Sequence, residues 1–167
     1  MSKKLVAMVA AAAATMGIAQ TASAQVISPV GGTGTVTGTL SLQQTLIFPI
    51  TCNVNSPPVS VVSSSLVSTT FPSFPYPICT FPYSAISANA NWTIVPLSST
   101  QVSITIPSVN ALGGICGPGK VLADVVQKGP PLVLSIPRQQ IPGTDSSGNP
   151  YPCWVSGTVT VSGVSIS

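Results

Sequence analysis

Alternation with a period of two, carried by β-branched residues, recurs along this chain and restricts it to one kind of backbone. In Thr35-Val36-Thr37-Gly38-Thr39-Leu40-Ser41-Leu42, the residues Val36, Leu40 and Leu42 fall on one face and hydroxyl side chains on the other. Val102, Ile104 and Ile106 are opposed by Gln101, Ser103 and Thr105. Leu132, Leu134 and Ile136 repeat the pattern, and Val155, Val159, Val161, Val164 and Ile166 carry it into the C-terminal tail. An extended strand sends successive side chains to opposite faces, and branched side chains pack well on that pleated surface. The best helical candidate is Lys120–Lys128, KVLADVVQK, whose valines suit a strand equally.

Prolines punctuate these runs, at Pro49, Pro57, Pro58, Pro96, Pro107, Pro130, Pro131, Pro137, Pro142, Pro150 and Pro152. Proline cannot donate to a ladder, so strands should be short and should bend or lie at edges where it occurs. The expectation is an all-β fold: an antiparallel sandwich or jelly-roll-like barrel of roughly eight to ten short strands joined by long Pro/Ser-rich loops. Gly34-Thr35-Val36-Thr37 is echoed by Gly157-Thr158-Val159-Thr160. The echo reads either as shared strand composition or as two terminal strands that neighbour each other in one sheet.

The first 24 residues stand apart. Lys3 and Lys4 precede the apolar run Leu5–Ala19, and Ala22-Ser23-Ala24 supplies small residues of the type a signal peptidase reads. This is the pattern of a secretory signal peptide cleaved before Gln25, and the run is too short and alanine-rich for a membrane span. Residues 25–167 are then a single exported β domain, with no second apolar run of spanning length.

Charge is nearly absent. The chain has five Lys and Arg, two Asp, and no Glu or His. Beyond the leader only Lys120, Lys128, Arg138, Asp124 and Asp145 remain. No cationic stripe for nucleic acid can be built from these. A surface with little like-charge repulsion eases self-association and adsorption to interfaces. General acid–base catalysis lacks its usual groups, and a Ser-His-Asp triad is impossible without histidine. No G-x-S-x-G stretch occurs. An enzyme is not expected, nor is a cofactor. Asp145, Ser147 and Asn149 could be taken for a calcium loop, but Asp-Ser-Ser-Gly-Asn is turn composition and one carboxylate is little charge for the ion. Cys116-Gly117-Pro118-Gly119 lacks the Lys-Ser/Thr ending of a phosphate loop and reads as a tight turn.

Cys52, Cys79, Cys116 and Cys153 form an even set in an exported chain, which implies two disulfides. Three pairings are possible; Cys52–Cys79 and Cys116–Cys153 are favoured by proximity in sequence alone. The spacing resembles no zinc site, and no metal is expected. Between the first two cysteines and just beyond, TTFPSFPYPICTFPY holds Phe71, Phe74, Tyr76, Phe81 and Tyr83, more than half of the aromatic rings. Its prolines make it an extended connector. Its rings either cap the core or, at Phe71, Phe74 and Tyr76, form an apolar contact patch.

Several stretches together resemble the small exported bacterial proteins called protein activators of alkane oxidation. They are Leu46-Ile47-Phe48-Pro49-Ile50-Thr51-Cys52-Asn53-Val54, Ile115-Cys116-Gly117-Pro118-Gly119, and Cys153-Trp154-Val155-Ser156-Gly157-Thr158-Val159-Thr160-Val161-Ser162-Gly163. The resemblance implies a non-enzymatic accessory protein of the cell surface or an apolar interface, in hydrocarbon utilisation, surface attachment or biofilm. Its partners would be hydrocarbon, lipid or another apolar surface, or further copies of itself. Composition alone would also suit a pilin-like or matrix fibre subunit that assembles by strand addition. That reading lacks an aromatic near the C-terminus, where the chain ends Val164-Ser165-Ile166-Ser167.

Overall fold

The computed structural model describes residues 25–44, 49–55, 58–71, 78–79, 87–88, 90–106, 108–111 and 114–167. The proposed leader lies outside them. Among the described residues there is no helix, and the chain is organised as seventeen ladder segments. In chain order these begin with β1 (Ile27–Ser28), β2 (Thr33–Gly34), β3 (Val36–Gln44), β4 (Ile50–Asn55), β5 (Val59–Ser63) and β6 (Leu66–Phe71). They continue with β7 (Ile78–Cys79), β8 (Ser87–Ala88), β9 (Ala90–Ser98), β10 (Gln101–Ile106), β11 (Val109–Ala111) and β12 (Gly114–Cys116). The last are β13 (Gly119–Gln127), β14 (Leu132–Ile141), β15 (Gly143–Thr144), β16 (Cys153–Val161) and β17 (Ser165–Ile166).

Eleven of the segments form one antiparallel sheet in the order β2-β5-β6-β9-β10-β13-β14-β16-β3-β4-β7. The sheet curls as a half-barrel: the all-β antiparallel expectation holds, and of its two forms, sandwich or jelly-roll-like barrel, the two facing sheets of the sandwich give way to one sheet bent around its own core. The curl follows from connectivity. Only Thr35 separates β2 from β3, yet the two take the first and ninth places in the order. β4 likewise leads directly into β5, and these two pair with β3 and β2 respectively. Both ends of the order are thus drawn together through two nearly continuous runs of chain. Closure of this kind leaves little unpaired edge.

The inward faces are those the alternation predicts: Val36, Leu40, Leu42, Val102, Ile104, Ile106, Leu132, Leu134, Ile136, Val155, Val159 and Val161 are all buried. KVLADVVQK resolves to strand, as most of β13. The echoed termini are neighbours, since β16 pairs with β3 along nine residues from Cys153↔Gln44 to Val161↔Val36.

Strand lengths depart from expectation. β14 runs for ten residues and β3, β9, β13 and β16 for nine. Pro96 and Pro137 are absorbed within strands, while Pro49, Pro142 and Pro152 still stand at strand ends. At Pro137 the β14–β16 register shifts between Ile136 and Gln139. There the Gln139 side chain takes over the ladder: its Oε1 accepts from Leu122 N at 2.9 Å and its Nε2 donates to Leu122 O. A side-chain amide replaces the donor that proline lacks.

Two small sheets close the ends. At one end β1 pairs with β17, with Ile27 opposite Ile166. Ile27 N donates to Ser64 O at 2.6 Å and Ile166 N to Lys128 O at 2.9 Å, so this pair is tied across the turns of the main sheet. At the other end lies the sheet β15-β12-β11-β8. It is fastened by the Cys116–Cys153 disulfide, whose Cα atoms are 5.7 Å apart. Gln44 is buried beside it, with Nε2 at 3.9 and 3.8 Å from the two sulfurs. For the other cysteines, the register places Cys52 directly opposite Cys79 across β4 and β7.

Candidate functional site

Beyond the β-bulge at Pro137, the main sheet contains three further register shifts, and an aliphatic side chain is exposed beside each. In β5 the shift lies between Val61 and Ser63 and takes in Val62, 58 % exposed. In β9 the partners Ser98↔Gln101 and Pro96↔Val102 leave Leu97 as the extra residue, 54 % exposed. In β13 the shift between Val125 and Gln127 takes in Val126, 67 % exposed. Each of the three follows an inward position (Val61, Pro96, Val125), so the period of two already points it outward, and the bulge places it unpaired beside the turn. All three flank turns at the same end, where residues 64–65, 99–100 and 128–131 reverse the chain. Val125 N donates to Thr100 O at 2.8 Å, tying two of these turns together. Val26 and Val30, also exposed, belong to the terminal segment fastened over this end. The result is a rim of aliphatic side chains at the end where β1 pairs with β17.

The second feature is internal. A cavity lies within the curl, lined by Val36 and Leu40 of β3, Val59 of β5, Val67 of β6, and Trp92 and Ile94 of β9. Single valines or isoleucines of β4, β10, β14 and β16 complete it. It is small, about 30 Å³, and no polar atom faces the space. Two neighbouring strands beside it lack side chains at one inward position each. Gly38 and Gly157 stand at inward positions of β3 and β16, between residues that are Val or Leu. Their φ angles, 150° and 155°, belong to glycine, and a Cβ would overlap the Thr158 carbonyl at Gly38 and the Thr39 carbonyl at Gly157. The two strands approach closely there, and no side chain fills the interior from either position. Trp92 packs inward on the same face as Ile94, as their alternation implies.

The patch expected at Phe71, Phe74 and Tyr76 falls outside this picture. β6 ends at Phe71 and pairs it with Ala90, but the side chain of Phe71 and the whole of Phe74 and Tyr76 lie outside the described residues. Alternation points all three rim residues outward, after Val59 and Val61, after Ile94 and Pro96, and after Ala123 and Val125; what it does not predict is that they share one end. One signal is present in the sequence: in KVLADVVQK, the period that buries Val121 and Ala123 places Leu122 and Val126 outward.

Asp145 belongs to a turn. Its Oδ1 accepts from Ser147 N at 2.8 Å and Asn149 N at 2.9 Å, and its Oδ2 accepts from Asn149 Nδ2 at 3.1 Å. Gly148, at φ 83°, completes the reversal. Among the described residues no group of three potential metal ligands occurs. The Asn149 side chain, then its backbone amide, hold the Asp145 carboxyl below its ordinary value of 3.8. A carboxylate with a depressed folded pKa stabilises the fold above its unfolded pKa and ceases to do so as pH falls through the folded value. The Ser147 and Asn149 amide resonances should therefore titrate together in NMR with a midpoint below 3.8. A midpoint at or above it would contradict the turn geometry.

On the outer face, the Arg138 guanidinium lies 4.5 Å from the Trp154 ring centroid and donates to Gln43 Oε1 at 3.0 Å. This anchors one of the few charges without building a cleft.

The described residues thus form a nearly uncharged β-shell with an aliphatic rim and an apolar interior. A profile of the family described as alkane oxidation protein activator PraA/PraB-like matches residues 1–166, and the chain belongs to that family. The family's description is of an activator, which fits a role other than catalysis. No curated relative and no solved structure matches the chain.

Proposed function

We propose that this chain is an exported, non-enzymatic accessory protein that works at an apolar interface, in the use of hydrocarbon or in surface attachment and biofilm. Residues 1–24 direct export and are removed, and Cys52–Cys79 forms a second disulfide beside Cys116–Cys153. The observation that carries the reading is the rim: Val62, Leu97 and Val126 are exposed beside three separate bulges at one end. Membership of an alkane oxidation activator family supports an apolar partner. With so few charges, little electrostatic free energy opposes adsorption.

The test is interfacial. Purified residues 25–167 should lower the tension between water and n-hexadecane in a pendant-drop measurement. The triple variant Val62→Ser, Leu97→Ser, Val126→Ser should adsorb at least about tenfold more weakly, since each side chain contributes on the order of 1 kcal/mol on leaving water. Unchanged tension with the unaltered protein would sink the reading. Fibre assembly by strand addition draws less support: β3 and β16 are each paired on both sides, and β1 and β17 pair with each other.

A further inference from the structure

The β1–β17 pair ends at the aliphatic rim, and we infer that the residue just before it is a modification site: Gln25, once cleavage makes it the N-terminus, closes on itself as pyroglutamate. The inference rests on the proposed export and removal of residues 1–24. Glutamine places its side-chain amide carbon where the α-nitrogen of the same residue can close a pyrrolidone ring. The neutral amine attacks Cδ, the N–Cδ bond forms, the Cδ–Nε2 bond breaks, and one amine proton leaves with Nε2 as ammonia. Nothing is oxidised or reduced. In the uncleaved chain the same nitrogen is bonded to Ala24 as an amide and cannot attack.

Ring closure leaves the ladder untouched. Val26 N donates to Ser167 O at 3.2 Å, and Ser167 N donates to Val26 O at 3.1 Å. Gln25 stands one residue beyond this bonded pair and outside β1. Cyclisation uses only its α-nitrogen and side chain, so the amide of Val26 and the pairing of Ile27 with Ile166 stay as they are. The surroundings favour the uncharged product. Gln25 is half-buried and its Oε1 is covered. Partial burial disfavours an ammonium against the neutral amine, and the neutral amine is the nucleophile. The exposed side chains of this end include Val26, Val30, Val62, Leu97 and Val126. Cleavage alone would add a positive charge among them. The lactam removes that charge, as acetylation of an N-terminus does.

The test is the mass and the N-terminus of the exported protein. The full chain, expressed with its leader in a bacterial host and purified after export, should have the mass of residues 25–167 less one ammonia, beyond the hydrogens lost to disulfides. Its N-terminus should resist Edman degradation. Treatment of the unfolded protein with pyroglutamyl aminopeptidase should restore sequencing, starting at Val26. Gln25→Ala lies outside the ladder and should fold; it should show the full mass of its mature chain and sequence from its first residue. On cation exchange at about pH 6, where an α-amine is protonated, it should elute later than the unaltered protein by the one charge it keeps. An intact glutamine at the N-terminus of the correctly cleaved chain would overturn the modification while leaving export standing. Ammonia loss that persists in Gln25→Ala would overturn the assignment to Gln25. A chain that keeps its leader, or begins at another residue, would overturn the proposed cleavage and the modification with it.

Discussion

Replacing Gly157 with alanine is expected to cost more than about 3 kcal/mol, enough to leave a marginal domain largely unfolded. The new Cβ would overlap the Thr39 carbonyl and lie 3.0 Å from Leu40 Cα, both of them backbone atoms of the adjacent strand. The φ of 155° adds strain for any L-residue. Relief would require β16 to separate from β3, the longest uninterrupted pairing in the sheet. Gly38→Ala should behave alike, since it faces the same pair of strands from the other side. Two controls set the scale. Gly31 has φ 75° but nothing within 4 Å of where an alanine methyl would sit, so alanine there should cost only about 1–2 kcal/mol. Gly129 has open space and no positive φ, and alanine should change stability by no more than about 0.5 kcal/mol. Urea unfolding of the four variants should give this ranking. A loss at Gly157 no larger than at Gly31 would mean that the strands do not approach as described.

The second large effect concerns the disulfide. Cys116→Ala with Cys153→Ala removes a cross-link spanning 37 residues, for which loop-closure entropy gives about 4 kcal/mol. The loss should be uneven. The bridge joins β12 of the small sheet to β16 of the main sheet, and the small sheet's own pairings are only two or three residues long. Hydrogen exchange in the double variant should rise first at Val109–Ala111, Gly114–Cys116 and Gly143–Thr144. Protection of Leu132–Ile136 should survive longest, since β14 is paired on both sides and its inward residues are buried. Uniform loss of protection across both sheets would show that the small sheet is not a separately fastened cap.

Much of the core is legible in the sequence because burial here follows a strict period of two. Every aliphatic residue assigned to an inward face from Val36 to Ile166 is buried, and the GTVT echo does mark adjacent strands. The architecture is less legible, for a physical reason. Alternation specifies which face is apolar but not whether that face meets a second sheet or the far side of its own. The decisive features are Gly38 and Gly157, and a sequence does not disclose that their Cβ positions are occupied by another strand. Proline misleads in the opposite direction. Pro96 and Pro137 sit inside long strands because bulges, and at Pro137 the Gln139 amide, accommodate the missing donor. The site is hardest to foresee. The ring-rich stretch around Phe74 is conspicuous in the sequence, whereas Val62, Leu97 and Val126 are ordinary aliphatics on the outward side of their strands until the sheet order brings them to one end.

The closure between β3 and β16 also dictates when this protein can fold. Thr35 and Ser162, which hydrogen-bond through backbone and side chain, are 127 residues apart in sequence. Contacts so distant must wait for both partners to be present, and they make for slow folding. An emerging chain can form the hairpins from β9 to β14 early, but the seam stays open until the last strand has been released. A chain still lacking β16 therefore leaves β14 and β3 each without one neighbour, and the main sheet stays in two pieces until that strand is in place.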